Sequence, residues 1–173
     1  MARLIDAIFL NGTVGTGKTT VARAIGAMEI GPHAVVDLDA IRAFGPSSPE
    51  DPFNHELELT NLKSLSENYR KAGAARFVLA GVIEQASEIP RYVSALGSRG
   101  LFVCRLTTNE NVLSARLAGR HQAEPDDLAW HLARAPQLAR ILSEQALDDV
   151  VLDSSARTPV DLAIEIRNAV GWG

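Results

Sequence analysis

Eight consecutive residues, Gly12-Thr13-Val14-Gly15-Thr16-Gly17-Lys18-Thr19, fit the pattern G-x-x-x-x-G-K-[ST] in full. Glycines at these places let the backbone curl until successive N–H groups point inward, a nest for phosphate oxygens. Lys18 then supplies a point charge for the β- and γ-phosphates, and the Thr19 hydroxyl a ligand for Mg²⁺. Thr20 completes the nucleotide-contacting run, at the N-terminus of a helix whose partial positive charge favours anions. A chance glycine-rich turn would match the letters without their setting. Here the apolar Ala7-Ile8-Phe9-Leu10 precedes the loop as a strand. From Lys18 to Glu29, Val21, Ala24, Ile25 and Met28 share one helical face. Strand, loop and helix are in the order the motif requires. The implied ligands are ATP and Mg²⁺.

The second chemical segment is Val35-Val36-Asp37-Leu38-Asp39-Ala40-Ile41-Arg42. Two carboxylates follow a short apolar strand, at the strand end where open α/β sheets bind ligands. In an extended chain Asp37 and Asp39 share a face. Phosphoryl transfer to a hydroxyl needs a carboxylate to accept or orient the proton, and acids around Mg²⁺. Asp39, further along, is the candidate base, and Asp37 the candidate Mg²⁺ partner through water, with the reverse assignment open. Both are counted as acceptor contacts. Arg42, one turn after Asp39, could bind a polar or anionic part of the acceptor. The plainer alternatives are that Asp39 only caps a short helix and that Arg42 makes a surface ion pair.

Arg76-Phe77-Val78-Leu79-Ala80 ends on Gly81 rather than on an acid, which argues against a hydrolytic motor. Gly81 is a candidate substrate-side turn, or an ordinary strand end. After the apolar run from Leu101 to Leu106, Arg116 and Arg120 stand four apart and share a helix face. A guanidinium can stack on a base and also neutralise charge developing on a transferring phosphate. Arg134 and Arg140 are further basic residues, of which Arg134 could enter the site on closure or face solvent, and Glu84 reads as a solvated helix-start acid.

The Leu10-Asn11-Gly12 opening through Thr19, together with Val36 to Arg42, resembles the small P-loop kinases. These include shikimate, gluconate and adenylylsulfate kinases and chloramphenicol phosphotransferase. The resemblance implies Asp39 as catalytic acid, Arg116 over adenine, Arg120 on the phosphates from a mobile lid, a glycine at the end of strand three, and strand order 2-3-1-4-5.

Five short apolar segments alternate with helical patterns, which reads as an α/β P-loop sandwich, a parallel sheet with helices on both faces. Helical patterns span Pro52 to Ala72, Pro90 to Leu96, a helix capped by Thr107-x-x-Glu110 and ending at Gly119, one opening at Pro125 and one opening at Thr158-Pro159-x-Asp161. No linker or repeat interrupts residues 1–173, so one domain is expected, with an acceptor cap over about 44–72 and a lid over about 116–140. Phe53, Asn54, His55, Asn61, Tyr69 and Arg70 are candidate linings of the acceptor pocket.

Composition narrows the partners. The chain has 173 residues, 46% of them hydrophobic, and a net charge of −4 from 17 basic and 21 acidic residues. No basic stripe suggests nucleic acid, and no apolar run approaches the ~18 residues of a membrane span. The single cysteine, Cys104, sits in an apolar strand and reads as a buried thiol. His33, His55, His121 and His131 show no metal spacing. A cytoplasmic monomer or homodimer is expected. The function read from these residues is ATP-dependent phosphorylation of a small-molecule hydroxyl. A nucleotide-binding regulatory ATPase and a nucleotide or nucleoside kinase are the alternatives.

Overall fold

A computed structural model of the chain describes residues 4–120 and 125–173. Its centre is β1 (Ala7–Asn11), buried along its whole length. Side chains alternate across a strand, so β1 feeds two cores at once. Ala7 and Phe9 join Leu62, Phe77, Tyr92 and Leu96 on one face. Ile8 and Leu10 join Val21, Ile25, Leu162 and Ile166 on the other. The first core lies under α3 (His55–Lys71) and α4 (Ile89–Leu96), the second under α1 (Lys18–Ala27) and α7 (Pro159–Val170). Burying each such aliphatic or aromatic side chain contributes about 1.5–3 kcal/mol. Phe9 and Tyr92 meet edge to face at 5.1 Å between ring centroids.

β1 pairs in parallel with β3 (Arg76–Ala80) and β4 (Leu101–Thr107), β2 (His33–Asp37) lies outside β3, and β5 (Val150–Asp153) outside β4. The order is β2-β3-β1-β4-β5, as the resemblance implies. Register aligns the strand ends: Asp37 is opposite Ala80, Asn11 opposite Arg105, and Thr107 opposite Asp153. All five strands therefore deliver their following loops to one edge, where ligands bind in such sheets.

Several local expectations are corrected. The helix after β2, α2, spans only Leu38–Ile41 and begins directly at Leu38, so Asp37 ends the extended strand and Asp39 lies in the helical turn instead of sharing that strand. Asp37 caps this turn, its Oδ1 accepting the Asp39 N–H at 3.1 Å. α3 starts at His55 rather than Pro52. Asp51 forms the turn before it by accepting the N–H groups of His55 (2.7 Å) and Glu56 (2.9 Å). Asn109, not Thr107, caps α5 (Glu110–Arg120): its Oδ1 accepts the Val112 N–H at 2.9 Å, while Thr107 is still in β4. α5 also continues through Gly119 instead of stopping there. α6 (Pro125–Gln145) opens on its proline with Asp126 and Asp127 in the first turn, and α7 carries the Thr158–Asp161 capping box. Burial pushes the Cys104 thiol up to about 12. Among the described residues no helix is long and apolar enough to cross a membrane.

Candidate active site

The loop after β1 has the curled backbone its glycines permit. Gly17, the N-cap of α1, has φ +92°, and Gly12 has φ +142°. A Cβ on Gly12 would also lie 2.5 Å from the Leu106 carbonyl oxygen, so both positions require glycine. Lys18 Nζ donates to the carbonyls of Gly12 and Thr13, each at 2.8 Å. Thr16 Oγ1 donates to the Thr13 carbonyl at 2.9 Å. Gly12, Thr13 and Thr16 thus build the loop. Val14, Gly15, Gly17, Lys18, Thr19 and Thr20 face a cavity of about 760 Å³.

Thr19 Oγ1 donates to Asp37 Oδ2 at 2.9 Å, bringing the hydroxyl of the motif against the first acid after β2. These are hard oxygen donors placed beside a phosphate nest. One or two protein oxygens, with phosphates and water completing the shell, suit Mg²⁺.

An AAA domain family profile matches residues 8–152. The chain belongs to the AAA domain family. Solved structures with the same fold include a tunicamycin resistance protein from Deinococcus radiodurans, with 22% identity, TM-score 0.67, and 97% of this chain and 96% of that one covered. Shikimate kinase from Acinetobacter baumannii aligns at 19% identity and TM-score 0.64, covering 98% and 95%. A gluconokinase from Sinorhizobium meliloti 1021 aligns at 19% and 0.62, covering 99% and 94%. Among curated proteins, none matches the chain. At these identities the likeness establishes the fold, and the small P-loop kinase architecture read from the motifs is borne out.

In this AAA-family chain the cavity continues from the phosphate loop to a second region lined by Asp39, Arg42, Phe53, His55, Glu84 and Trp130. Arg42 is held between two carboxylates. Its Nη2 pairs with Asp39 Oδ1, and its Nη1 lies 3.4 Å from Glu58 Oε2. Glu58 is buried and also accepts from the Tyr92 hydroxyl. Burial raises the Glu58 pKa, opposed by the Tyr92 hydrogen bond and by Arg42. The Tyr92 hydroxyl is itself pushed far up by burial and then by Glu58. His55 Nε2 lies 2.5 Å from Glu88 Oε2.

Of the other pocket candidates, Asn54 and Asn61 are used on backbone. Asn54 Nδ2 donates to the carbonyls of Arg42 (3.0 Å) and Phe44 (2.8 Å), and Asn61 Nδ2 to that of Ile41 (2.7 Å). They fasten the end of α2 to α3. Tyr69 and Arg70 lie at the far end of α3, where the Arg70 guanidinium stacks over Phe77 and its Nε donates to the Leu96 carbonyl. Gly81 does not line the cavity. It is buried beneath Leu38, where a Cβ would meet Leu38 Cδ1 at 2.5 Å. Its neighbours Ala80 and Val82 form the wall instead. The close approach to Leu38 makes Gly81 a packing position at the cavity wall.

Arg116 Nη1 donates to the Gly15 carbonyl (3.2 Å) and Ser154 Oγ (3.1 Å), and Nη2 to the Ser154 carbonyl (3.0 Å). It joins the phosphate loop to the loop after β5. Arg120 ends α5, and its side chain lies outside the described residues, as do His121 to Glu124 of the expected lid. Arg134, for which entry into the site and a solvent-facing role were both open, and Glu84, expected to be solvated, line the cavity as a pair at 2.9 Å.

Two buried polar residues escaped the sequence reading as site-builders. Asn11 Oδ1 accepts the N–H groups of Gly12 (3.0 Å) and Ile83 (3.1 Å), while its Nδ2 donates to the Ile83 carbonyl (3.1 Å). It ties the phosphate loop to the cavity wall after β3. Ser154 Oγ donates to the Thr16 carbonyl at 2.9 Å. An asparagine inside a fully buried strand end was the available signal for the first. A serine in Ser154-Ser155 has no comparable signature.

Proposed function

We propose that the protein transfers the γ-phosphoryl group of ATP, with Mg²⁺, to a hydroxyl of a small molecule. The observation that carries this reading is the continuous cavity joining the phosphate loop to Asp39 and Arg42. A cavity holding both a nucleotide nest and a carboxylate beside further open volume suits a second substrate, which a pure nucleotide switch does not need. Bound ATP supplies the phosphoryl group, and Mg²⁺ neutralises its oxygens.

The chain's residues then take distinct roles. Backbone N–H groups of residues 14–19 and Lys18 hold the phosphates. Thr19 and Asp37 supply oxygens on the metal side, and Arg116 bounds the adenine side from its anchor on Ser154. Asp39 orients the acceptor hydroxyl and takes its proton as that oxygen bonds to phosphorus and the bond to the ADP oxygen breaks. Arg42 fixes the Asp39 carboxylate by engaging Oδ1. Arg120 on the phosphates, within a lid formed by α5 and α6, belongs to the same proposal. Phe53 and Trp130 at the acceptor side favour a ring-bearing acceptor, a nucleoside included.

Coupled ADP release with purified protein across hydroxyl compounds tests the reading. Lys18→Ala is expected to lower transfer on the order of 10²-fold or more. Asp39→Asn should lower it by about 10²- to 10⁴-fold while ATP still binds. Acceptor-stimulated turnover that survives both substitutions would remove these residues from the mechanism.

A further inference from the structure

The cations of the acceptor side are already spoken for. Arg42 sits between Asp39 and Glu58, and Arg134 is paired with Glu84 at 2.9 Å. His55 faces Glu88 at 2.5 Å. Lys18 and Arg116 belong to the phosphate loop, donating to its carbonyls. Among the described residues that line the acceptor side, Asp39, Glu84 and Glu88 therefore outnumber Arg42 and Arg134. A carboxylate or phosphate arriving here would have to displace a protein carboxylate from a guanidinium and leave that carboxylate facing a like charge. Such juxtaposition is unfavourable and is a common means of rejecting wrong partners.

The rest of the wall is apolar. Phe53 and Trp130 line the cavity with more than half of each residue exposed, and Val82, Ile83 and Leu138 lie beside them. Large rings left in contact with water inside a concavity are an available surface for an apolar body.

We propose that the acceptor is a hydroxyl compound with an apolar, ring-bearing body and no anionic group, uncharged or carrying an amine. This inference rests on the phosphotransferase reading for the word acceptor. It selects nucleosides over nucleoside monophosphates, and neutral or amino alcohols over hydroxy acids. The device is the pairing itself: Glu84 occupies the Arg134 guanidinium that would otherwise greet an anion.

The test is a panel of hydroxyl-bearing fragments in anionic, neutral and cationic thirds, matched for heavy-atom count and aryl content. Binding to the full chain, loaded with a non-hydrolysable ATP analogue and Mg²⁺, is read by ligand-observed NMR. The nucleotide load keeps anions off the phosphate loop. The neutral and cationic thirds are expected to bind about tenfold tighter on average than the anionic third. Glu84→Gln, at a half-exposed position, should release Arg134 and bring the anionic third to within about twofold of the neutral one. An anionic third that binds as well as the others in the parent protein overturns the inference, as does a panel with no binder. Unmoved selectivity in Glu84→Gln overturns the assigned cause. Phosphorylation is then assayed on the binders with ATP. Binders that are never phosphorylated sink the phosphotransferase reading and leave the charge selectivity standing. Preferred transfer to anions does the reverse.

Discussion

Replacing Gly81 by alanine adds one methyl group where the structure has no room. The new Cβ would stand 2.5 Å from Leu38 Cδ1 and 3.2 Å from both Leu38 Cβ and Cγ. Leu38 is fully buried, so its side chain cannot swing into solvent. Leu38 is also the first residue of α2, with Asp37 before it and Asp39 after it. Relief requires either an off-rotamer Leu38 or a shift of the α2 backbone. Overpacking of this kind costs about 1–3 kcal/mol. At about 2–4 °C per kcal/mol for a chain of this size, the melting temperature should fall by roughly 2–12 °C. Scanning calorimetry reads the fall. Leu38→Val removes the clashing methyl from the other side and should cost about 1 kcal/mol alone. Combined with Gly81→Ala it should lose less than the sum of the single changes, a coupling of at least about 0.5 kcal/mol. Unchanged melting for Gly81→Ala, or strict additivity in the pair, would refute the argument that contact with Leu38 is what demands glycine.

Two further substitutions probe the polar framework. Ser154→Ala removes the hydroxyl that accepts from Arg116 and donates to the Thr16 carbonyl. Loss of a buried hydrogen-bonding partner costs about 1–3 kcal/mol, so the melting temperature read by calorimetry should fall by roughly 2–12 °C. Glu58→Gln tests the sign of a buried charge. Burial raises the folded-state pKa of Glu58 above 4.5, so the folded state holds this proton more tightly than the unfolded chain. The stability linked to it is fully present below the unfolded value and is lost as pH rises through the folded one. The melting temperature of Glu58→Gln relative to the parent should therefore climb from about pH 4.5 upward. A difference that is flat across pH 4.5 to 7 would contradict the burial-driven shift.

The fold was largely legible because it rests on strong local signals. The continuous apolar run of β1, the glycines of the loop and the Thr158–Asp161 box all have short-range causes, and the structure has each of them. Boundaries failed where side chains other than the expected ones took the orphan N–H groups. Asp51 set the start of α3 and Asn109 that of α5, and neither competition is visible in hydrophobic pattern. The phosphate loop was legible because one contiguous motif builds it. The acceptor side was poorly legible. Arg134 meets Glu84 across 50 residues, and Arg42 meets Glu58 across 16, so pairings between distant elements decide which charges face the cavity.

This difference has a physical consequence for how the two halves of the cavity are held. The loop is fixed by its own backbone: its glycine dihedrals and the Lys18 and Thr16 hydrogen bonds lie within seven residues of each other. The acceptor side has no such local scaffold. Its geometry comes from Asn11 fastening the wall after β3, from Asn54 and Asn61 fastening α2 to α3, and from Glu58 fixing Arg42. All four fastenings are polar and long-range, and one lies at a strand end with no solvent access. On the proposed reading, changing the acceptor requires changing the partners of Arg42 and Arg134, while the phosphate loop can stay as it is. A fold built this way separates the residues of the phosphate-loop motif from those that line the far half of the cavity. That separation explains why the motif reads so clearly and the acceptor does not.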